Sequence, residues 1–253
     1  MLVAERYEKI VQLVNERGSI RVSELSEICE VTEETIRRDL DKLEQAGRLR
    51  RSHGGAVSVK EHQNPEVPFF EREVTNMEQK RRIAREAVNH IFPRDKIILD
   101  ASTTAWYMAS MIPDIPLTVL TNSIKVALEL SSKEKVEVIS TGGILAPRSL
   151  SYVGPLAERA LELYHVNKAF ISCKGIHLQR GISESNELQA RVKQQMIGLA
   201  DEAYMLADYS KFGVSAFAHV ARLSRISTVV TDSEAPQDQI EQLRDIPVKV
   251  IQV

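Results

Sequence analysis

The chain has 253 residues, with 33 Lys or Arg against 35 Asp or Glu, a formal net charge of −2, 43% hydrophobic and 27% charged residues. This balance is typical of a packed globular protein and excludes a disordered chain. Two cysteines are too few for a disulfide framework, no apolar run reaches the ~18 residues of a membrane span, and the charged N-terminus is unlike a signal peptide, so we expect a cytoplasmic protein with no membrane contact.

Three short helices are predicted within the first 46 residues. Apolar side chains at helical spacing mark them: Tyr7, Ile10, Val11 and Val14; Val22, Leu25 and Ile28; Ile36, Leu40 and Leu43. The first helix is expected to end near Gly18, and the second to start around Ser23. Thr32 is a good N-cap for the third helix, which is expected to end at Gly47.

A basic hairpin follows the third helix. Arg48-Leu49-Arg50-Arg51 alternates like a short strand, and Gly54-Gly55 turns the chain back. Residues 35–60 carry seven Lys or Arg against three acids, whereas residues 1–34 carry four against eight. Three helices followed by a basic hairpin predict a winged helix-turn-helix, whose local positive charge suits double-stranded DNA.

The third helix is expected to lie in the major groove. Arg38 stands roughly 200° around the helix from the inward Leu40, so it is expected to reach a phosphate or a base. Arg37 lies nearer the buried face and is expected to pair with Asp41 one turn later. The hairpin arginines have no acid near them in the sequence, so phosphate contacts are expected. The candidate DNA-binding residues are Thr32, Glu34, Thr35, Arg37, Arg38, Arg48, Arg50, Arg51 and His53.

The remainder of the chain is predicted to be an α/β domain. Residues 1–57 form the winged helix, residues 58–75 a linker with prolines and no apolar periodicity, and residues 76–253 the main domain. A helix is expected from about Glu78 to His90. Seven β-rich runs then alternate with helical stretches: Lys96–Leu99, Leu117–Leu120, Val136–Ile139, Ala169–Ser172, Ala203–Leu206, Thr228–Val230 and Val248–Ile251. This alternation predicts βαβ units and a mostly parallel sheet.

Small and polar residues follow nearly all of the predicted strands. Ligands of open parallel sheets bind at the carboxyl ends of the strands, so these loops are expected to form one site. Hydroxyls at a helix start and a Gly-Gly backbone hold phosphate, lysines neutralise it, and Asp100 and Asn122 are expected to orient sugar hydroxyls. The candidate residues are Asp100, Ser102, Thr103, Thr104, Asn122, Ser123, Gly142, Gly143, Lys174, Gly175, Glu184, Asp208 and Lys211.

Each pattern also has a structural interpretation. Hydroxyl residues after a strand often only cap the next helix, Gly-Gly is often a turn, and Asp100 with Lys211 is equally compatible with a salt bridge between loops. Cys173 beside Lys174 is either a thiol of lowered pKa or, more commonly, a buried strand residue. The six histidines lack metal-ligand spacing and no nucleotide-binding motif occurs, so no metal, cofactor or catalytic residue is predicted.

In order and spacing, TIRRDL, LTNSIKVA, TGGIL, YVGPLAERAL and ADYSKFG resemble the DeoR family of sugar-operon repressors, over about Arg6 to Asp232. The resemblance implies a transcriptional repressor of a carbohydrate-use operon, with an operator and a phosphorylated sugar effector as partners. It also implies that the α/β domain is similar to ribose-5-phosphate isomerase. Ser102 replaces the glycine that the family usually has, which predicts a narrower phosphate loop.

The same resemblance supplies an alternative function, a sugar-phosphate isomerase fused to a DNA-binding domain. Asp100, Glu184 and Glu187 are possible bases for such a reaction, although Lys174 stands where a catalytic acid is expected. A winged helix that binds only protein is disfavoured by its exposed arginines. One winged helix reads a short half-site, so we expect a homo-oligomer, a dimer or a tetramer, held by residues after the linker.

Overall fold

The protein divides into two compact units, residues 1–65 and 66–253. The computed structural model describes residues 3–17, 19–46, 48–52, 54–57 and 66–253. The predicted linker extends too far, because residues 66–75 belong to the second unit and contain the fully buried Phe69. Residues 58–65 of that linker lie outside the described residues.

The first unit is a winged helix-turn-helix, as predicted. Its elements are α1 (Val3–Arg17), β1 (Ser19–Arg21), α2 (Val22–Cys29), α3 (Glu33–Gln45), β2 (Arg50–Ser52) and β3 (Gly55–Val57). The strands form an antiparallel sheet in the order β1-β3-β2. The sequence does not predict β1, because three residues are too few to show an alternating pattern.

One hydrophobic core holds the first unit together. Its fully buried members come from all three helices, from the residue before β2 and from β3: Ile10, Val14, Leu25, Ile36, Leu40, Leu49 and Ala56. The Thr32 side chain accepts a hydrogen bond from the Thr35 amide at 3.3 Å, which confirms the predicted N-cap of α3. Gly47, the predicted end of this helix, lies outside the described residues.

The second unit is an α/β domain, built on a parallel sheet of seven strands. Their order is β15-β14-β12-β9-β4-β5-β6. These are β4 (Lys96–Leu99), β5 (Leu117–Thr121), β6 (Val136–Ser140), β9 (Val166–Ile171), β12 (Ala200–Leu206), β14 (Thr228–Thr231) and β15 (Lys249–Gln252). Each coincides with one of the seven predicted runs to within a few residues.

Helices cover both faces of this sheet. The helices of this unit are α4 (Phe69–Val74), α5 (Met77–Val88), α6 (Thr103–Met111), α7 (Ile124–Leu130), α8 (Pro155–Glu162), α9 (Glu187–Gly198) and α10 (Gln237–Arg244). Ile97 and Leu99 pack with α5, α6 and α7, whereas their neighbour Ile98 packs with α8, α9 and α10. Successive strand residues point to opposite faces, so both faces of the sheet are buried.

Two small antiparallel sheets complete the unit, and the sequence predicts neither. One pairs β7 (Ile144–Ala146) with β8 (Ser151–Val153), and the other has the order β10-β11-β13. The strands of the latter are β10 (Gly175–His177), β11 (Gly181–Glu184) and β13 (Ala218–Ala221). No helix within the described part of the chain is long and apolar enough to cross a membrane.

Candidate functional site

The helix α3 presents a charged outer face. Ile36 and Leu40 are fully buried, whereas the side chain of Arg38 is 76% exposed, as the helical geometry predicts. Asp39 is buried as well, because its carboxylate accepts a hydrogen bond from Arg6 Nε of α1 at 2.6 Å. The TIRRDL string therefore combines core residues, a structural ion pair and an exposed arginine on one helix.

The predicted partner of Arg37 is wrong. Arg37 donates to Glu33 one turn earlier at 2.6 Å. Asp41 pairs instead with Arg51 of β2, in the basic hairpin of residues 48–57 that we call the wing. Both acids are four residues from Arg37, but Arg51 already occupies the one on the C-terminal side. Arg37 is about half exposed and remains on the outer face of α3.

The wing arginines also have acidic neighbours, contrary to the sequence-based expectation. Arg48 donates two hydrogen bonds of 2.8 Å to the Glu8 carboxylate of α1, and the Arg51 amide donates to Glu44 Oε1 at 2.7 Å. The chain fold, rather than sequence proximity, brings these acids to the wing. Exposed ion pairs of this kind contribute little to stability, so DNA phosphates can replace them.

The other predicted DNA-binding residues stand at the start of α3. The Thr32 and Thr35 hydroxyls are 3.0 Å apart, and Glu34 lies 3.5 Å from Arg38 Nε. These residues lie at the N-terminus of α3, and the N-terminal residues of a recognition helix are those that contact base edges. His53 and the side chain of Arg50 lie outside the described residues.

In the second unit, the candidate site lies where the sheet changes direction. From β4 the chain builds the sheet towards β6, whereas from β9 it builds towards β15. Asp100, directly after β4, accepts hydrogen bonds from the Ser102 amide at 3.1 Å and from the Ser172 amide after β9 at 2.9 Å. Such a switch point is the usual ligand position in open α/β sheets.

Lys193 of α9, which is not among the sequence-predicted residues, links the acidic groups of this edge. Its Nζ lies 3.0 Å from Asp100 Oδ2 and 3.0 Å from Glu184 Oε1, and donates to the Ser172 carbonyl at 2.6 Å. Burial opposes a charge here, but the two carboxylates raise the pKa of Lys193. Burial likewise favours the protonated form of Glu184, yet Lys193 holds the pKa of that carboxyl below its usual value.

A second group of side chains at this edge is cationic: Arg72 of α4, Lys80 of α5, Lys174 after β9, and Lys211. Burial lowers the pKa of Lys174, and the positive charges of Lys211 and Arg72 lower it further. Burial lowers the pKa of Lys80 to about 8, with Lys211 and Arg72 again contributing. Lys211 and Arg72 thus act on both Lys174 and Lys80, against the opposing charges of Glu184 and Asp208, and a bound anion would be stabilised by these cations.

Asp208, after β12, is one of the acids that face these cations. Its Oδ2 lies 4.0 Å from Lys211 Nζ, and its Oδ1 accepts hydrogen bonds from the Ser210 amide at 3.1 Å and from Asn76 Nδ2 at 3.0 Å. Burial opposes ionisation, but these neighbours and Lys80 keep the pKa of Asp208 below its usual value. Asp208 is therefore an ionised acceptor that orients Asn76 and Lys211.

Several buried polar atoms at this edge have no partner within the described residues. They include Nε and Nη2 of Arg72 and Oδ1 of Asn122. Asn122 is 1% exposed and donates through Nδ2 to the Tyr152 carbonyl at 2.9 Å, which leaves its acceptor oxygen unused. Unpartnered buried groups are costly, so native proteins reserve them for ligands or water.

Some hydroxyl residues of the predicted site cap helices, and others remain available to a ligand. Ser102 Oγ accepts from the Ala105 amide at 3.1 Å and Ser123 Oγ from the Val126 amide at 3.2 Å, so both cap helices. Thr103 and Thr104 are buried in the first turn of α6, and their amides have no acceptor within the helix. Ser102, in place of the family's glycine, thus serves as a cap with an ordinary backbone conformation, φ −84°.

The glycines of the predicted site have different structural reasons for lacking a side chain. Gly142 has φ +61°, and a Cβ added there would meet open space, which leaves its backbone accessible. A Cβ on Gly143 would lie 2.9 Å from the Val153 carbonyl oxygen, so close packing explains this glycine. Gly175 is also closely packed, because a Cβ added there would lie 2.4 Å from the Val214 carbonyl oxygen. Of the three, Gly142 offers free backbone to a ligand.

The structure bears on three alternatives that the sequence leaves open at this edge. Asp100 pairs with Lys193, and Lys211 lies beside Asp208, so no salt bridge joins Asp100 to Lys211. The thiol of Cys173 is buried, and burial raises its pKa to about 12, which excludes a reactive thiolate. Glu187 is exposed on α9 and pairs with Arg191 at 2.6 Å.

The missed residues had a detectable signal. Lys193 is spaced three and four residues from Ala190 and Ile197, on the buried side of its helix, and Lys80 precedes Ile83 and Ala84 in the same way. A lysine on an apolar helix face must have a buried partner or serve a function, because a buried charge is costly otherwise.

Both units match a known family. Residues 6–62 match the family described as DeoR-like helix-turn-helix domain, and residues 75–233 match the DeoR C terminal sensor domain. The chain is 57% identical to the HTH-type transcriptional regulator YulB of Bacillus subtilis, over 100% of this chain and 98% of that one. It is 42% identical to the L-fucose operon activator of Haemophilus influenzae, over 92% and 93% of the two chains.

A further relative is the putative aga operon transcriptional repressor of Escherichia coli O157:H7, at 36% identity over 99% of this chain and 94% of that one. Among solved structures, ribose 5-phosphate isomerase A from Methanocaldococcus jannaschii aligns with 55% of this chain and 55% of that chain, at 16% identity and a TM-score of 0.41.

Proposed function

Since the chain belongs to the DeoR family of sugar-operon regulators, we propose that it represses a carbohydrate-use operon and that a phosphorylated sugar, bound at the sheet edge, changes its affinity for DNA. Its relatives include a named activator and a named repressor of sugar operons. Repression fits a regulator whose effector reports that the sugar is present. The protein acts in the cytoplasm, where the operator is accessible.

The observation that carries this proposal is the guanidinium of Arg72, which has two buried nitrogens without a hydrogen-bond partner and a charge that acts on Lys174 and Lys80. A phosphate with about two negative charges needs several donors and at least one cation. Arg72 offers two unused nitrogen donors, and Lys174 is half-buried beside it. The amides and hydroxyls of Thr103 and Thr104 and the open backbone of Gly142 supply further neutral donors.

The sugar part of the effector would use the acceptors. Asn122 Oδ1 is buried without a donor, so a hydroxyl hydrogen of a ligand would satisfy it. Asp100 retains less capacity, because its two oxygens already accept from Ser102, Ser172 and Lys193. We therefore assign Asn122 to hydroxyl recognition and Asp100 to holding the edge together.

The isomerase alternative is less well supported. Aldose–ketose isomerisation needs a carboxylate base with a pKa near the working pH. Glu184 has a lowered pKa because of Lys193, and Asp100 is held by the same lysine. Glu187 is on the surface. We propose that the edge binds a sugar phosphate without turning it over.

A panel of aldose and ketose phosphates tests both functions in one experiment. Melting temperature, operator affinity and appearance of the isomeric sugar are measured for each compound. We expect at least one compound to raise the melting temperature and change operator affinity without product formation. Arg72→Met should abolish this response and leave operator affinity without ligand unchanged, whereas Arg85→Met, at an exposed position of α5, should behave like the wild type. An unaltered response of Arg72→Met would place the site elsewhere.

Assembly is the remaining part of the proposal. A single winged helix contacts one half-site, so specific binding requires two copies on one operator. Exposed apolar side chains on β7 and α8, namely Ile144, Leu145 and Leu156, are 50–67% exposed and suit a protein interface. We expect the full chain to sediment as a dimer or tetramer and Leu156→Glu to weaken that assembly. A monomer at micromolar concentration would refute this part.

A further inference from the structure

The segment Glu66–Asn76, which we call the strap, is the first part of the second unit after the winged helix and residues 58–65. Any signal that passes along the chain between the two units must pass through it. The strap contains α4 and ends at Asn76, whose φ of 50° is the left-handed conformation that non-glycine residues seldom adopt. The strap therefore consists of the short helix α4 with a few residues on either side, and its last residue has an unusual backbone conformation.

The strap contributes to the candidate site from both ends. The Arg72 guanidinium lies 5.8 Å from the ring centre of Phe69, its buried Nε and Nη2 have no hydrogen-bond partner within the described residues, and its charge acts on Lys174. Near the other end, Glu66 is half-buried, and Asn186 Nδ2 lies 3.5 Å from its Oε2. Burial raises the pKa of Glu66, with Arg72 opposing and Glu184 adding to the shift. An anion that binds Arg72 would therefore bind the strap itself.

Polar contacts fasten the strap to elements that carry site loops. Tyr107 of α6 donates its hydroxyl to the Glu73 carbonyl at 2.9 Å. Lys80 Nζ donates to the carbonyls of Arg72 and Thr75, both at 2.6 Å. The Asn76 side chain donates to Asp208 Oδ1. The strap is thus linked to α6, to α5 and to the loop after β12.

An aromatic clasp adds a further fastening. Lys125 of α7 places its Nζ 5.5 Å from the ring centre of Phe69, 5.6 Å from that of Phe70 and 5.2 Å from that of Trp106. Two of these rings belong to the strap and the third to α6. Cation–π contacts within about 6 Å are attractive. The clasp joins the strap to the two helices that follow Asp100 and Asn122.

We propose that the strap transmits effector occupancy to the DNA-binding unit: an anion bound by Arg72 adds a further fastening to the sheet edge, and without the anion the strap is held by the contacts described above alone. This inference rests on the proposed phosphate site. It adds that the residue binding the anion is carried by the segment that leads to the winged helix. Coupling then needs no separate relay, because the ligand and the linker act on the same residues.

Hydrogen exchange of the full-length protein, with inorganic phosphate or with chloride at matched ionic strength, tests the proposal. We expect phosphate to slow exchange of the amides in residues 66–75 and 101–105 by about tenfold or more. Slower exchange in residues 101–105 alone would overturn the strap inference and leave the phosphate site standing. No slowing in either segment would overturn both.

Tyr107→Phe provides the matched variant, because it removes the hydroxyl that holds Glu73 and leaves Arg72 and the lysines in place. We expect faster exchange of the strap without phosphate, phosphate affinity within about threefold of wild type, and a smaller effect of phosphate on operator affinity. Tyr204→Phe is the control, since Tyr204 is similarly buried and donates to Glu202 at 2.9 Å, away from the strap.

Lys125→Met, which empties the clasp, should reproduce the result of Tyr107→Phe. If both variants kept the wild-type effect of phosphate on operator affinity, the strap would have no role in transmission.

Discussion

The outer face of the winged helix and the sheet edge of the second unit use charge in opposite ways. In the winged helix, Arg37, Arg38 and Arg48 are exposed and paired with exposed acids of α1 and α3. At the sheet edge, Lys193 is 7% exposed and pairs with two buried carboxylates. Exposed pairs exchange readily for other partners, whereas a buried charge that loses its partner is strongly destabilising.

This difference separates the two kinds of binding. DNA offers many phosphates, and a flexible arginine can leave a surface acid for one of them at little cost. A small ligand offers few contacts, so its site must be prepared beforehand by groups that cannot relax. We therefore expect substitutions of the exposed arginines of the winged helix to change affinity alone, and substitutions at the sheet edge to change stability as well.

The largest effect is expected for Lys193→Met. The variant leaves Asp100 and Glu184 buried without a counter-ion, and we expect the free energy of unfolding to fall by about 3–5 kcal/mol in urea denaturation. Lys193 lowers the pKa of Glu184, so the wild type gains stability from this pair above the unfolded pKa of glutamate and loses it as the pH falls. The deficit of the variant should therefore shrink as the pH falls below about 4.5. Lys135→Met, at an exposed position, is the control.

If the Lys193→Met variant were as stable as the control, the distinction between buried and exposed charge would fail for this protein.

The next largest effect is a pH dependence of effector binding. The pKa of Lys80 is lowered to about 8 by burial and by the charges of Lys211 and Arg72, against the opposing charge of Asp208. About nine tenths of these side chains are charged at pH 7 and about one tenth at pH 9, so anion affinity should weaken about tenfold over this range. Isothermal titration calorimetry at each pH, with the sugar phosphate selected from the panel, measures this affinity.

Lys80→Arg remains charged at both pH values and should show a flat profile. The same decline in that variant would assign the titration to another group.

A smaller effect is expected for Arg38→Ala. Arg38 is exposed and lies outside the core, so the urea midpoint should not change. Operator affinity at physiological salt should fall by about 1 kcal/mol, the size of one specific base contact. Fluorescence anisotropy is measured with operator DNA and with unrelated DNA. Loss of a base contact weakens binding to the operator alone, whereas loss of a phosphate contact weakens binding to both DNAs. Unchanged affinity for both DNAs would remove Arg38 from the interface.

The smallest effect is expected for Glu8→Gln, which frees Arg48 from its carboxylate. We expect no measurable shift in the urea midpoint, and about threefold tighter binding to any DNA at low salt, because an acid is removed and a cation is released. The gain should vanish at high salt. A marked loss of stability would show that this exposed pair behaves like a buried one.

The sequence predicts the architecture well, because hydrophobic period and strand–helix alternation are local properties. The seven runs of the parallel sheet are all strands, and the Thr32 cap of α3 is present. The short strands β1, β7 and β10 escape prediction, since their stability comes from partners distant in the chain. The extent of the linker was also misjudged, because α4 has only six residues and depends on packing.

Only part of the candidate site follows from the sequence. The topology rule points to residues directly after strands, which is why Asp100 and Asn122 are among the sequence-predicted candidates. Lys193, Arg72 and Lys80 lie on helices that reach the edge from the sides, and no rule of strand ends includes them. The ion-pair partners of the arginines are the least predictable feature, because tertiary geometry decides them. Arg48 and Glu8, for example, are forty positions apart in the chain.

The strand order at β4 and β9 has a consequence for how the second unit folds. Ile97 of β4 pairs with Val119 of β5, 22 positions on, but also with Lys168 of β9, 71 positions on. Each half of the sheet can assemble over short loops, whereas the seam between β4 and β9 requires a long loop to close and is expected to form late. The proposed ligand spans this seam, so it binds only the completed sheet and favours folding by mass action. A cell rich in the sugar would then also hold more of its folded regulator.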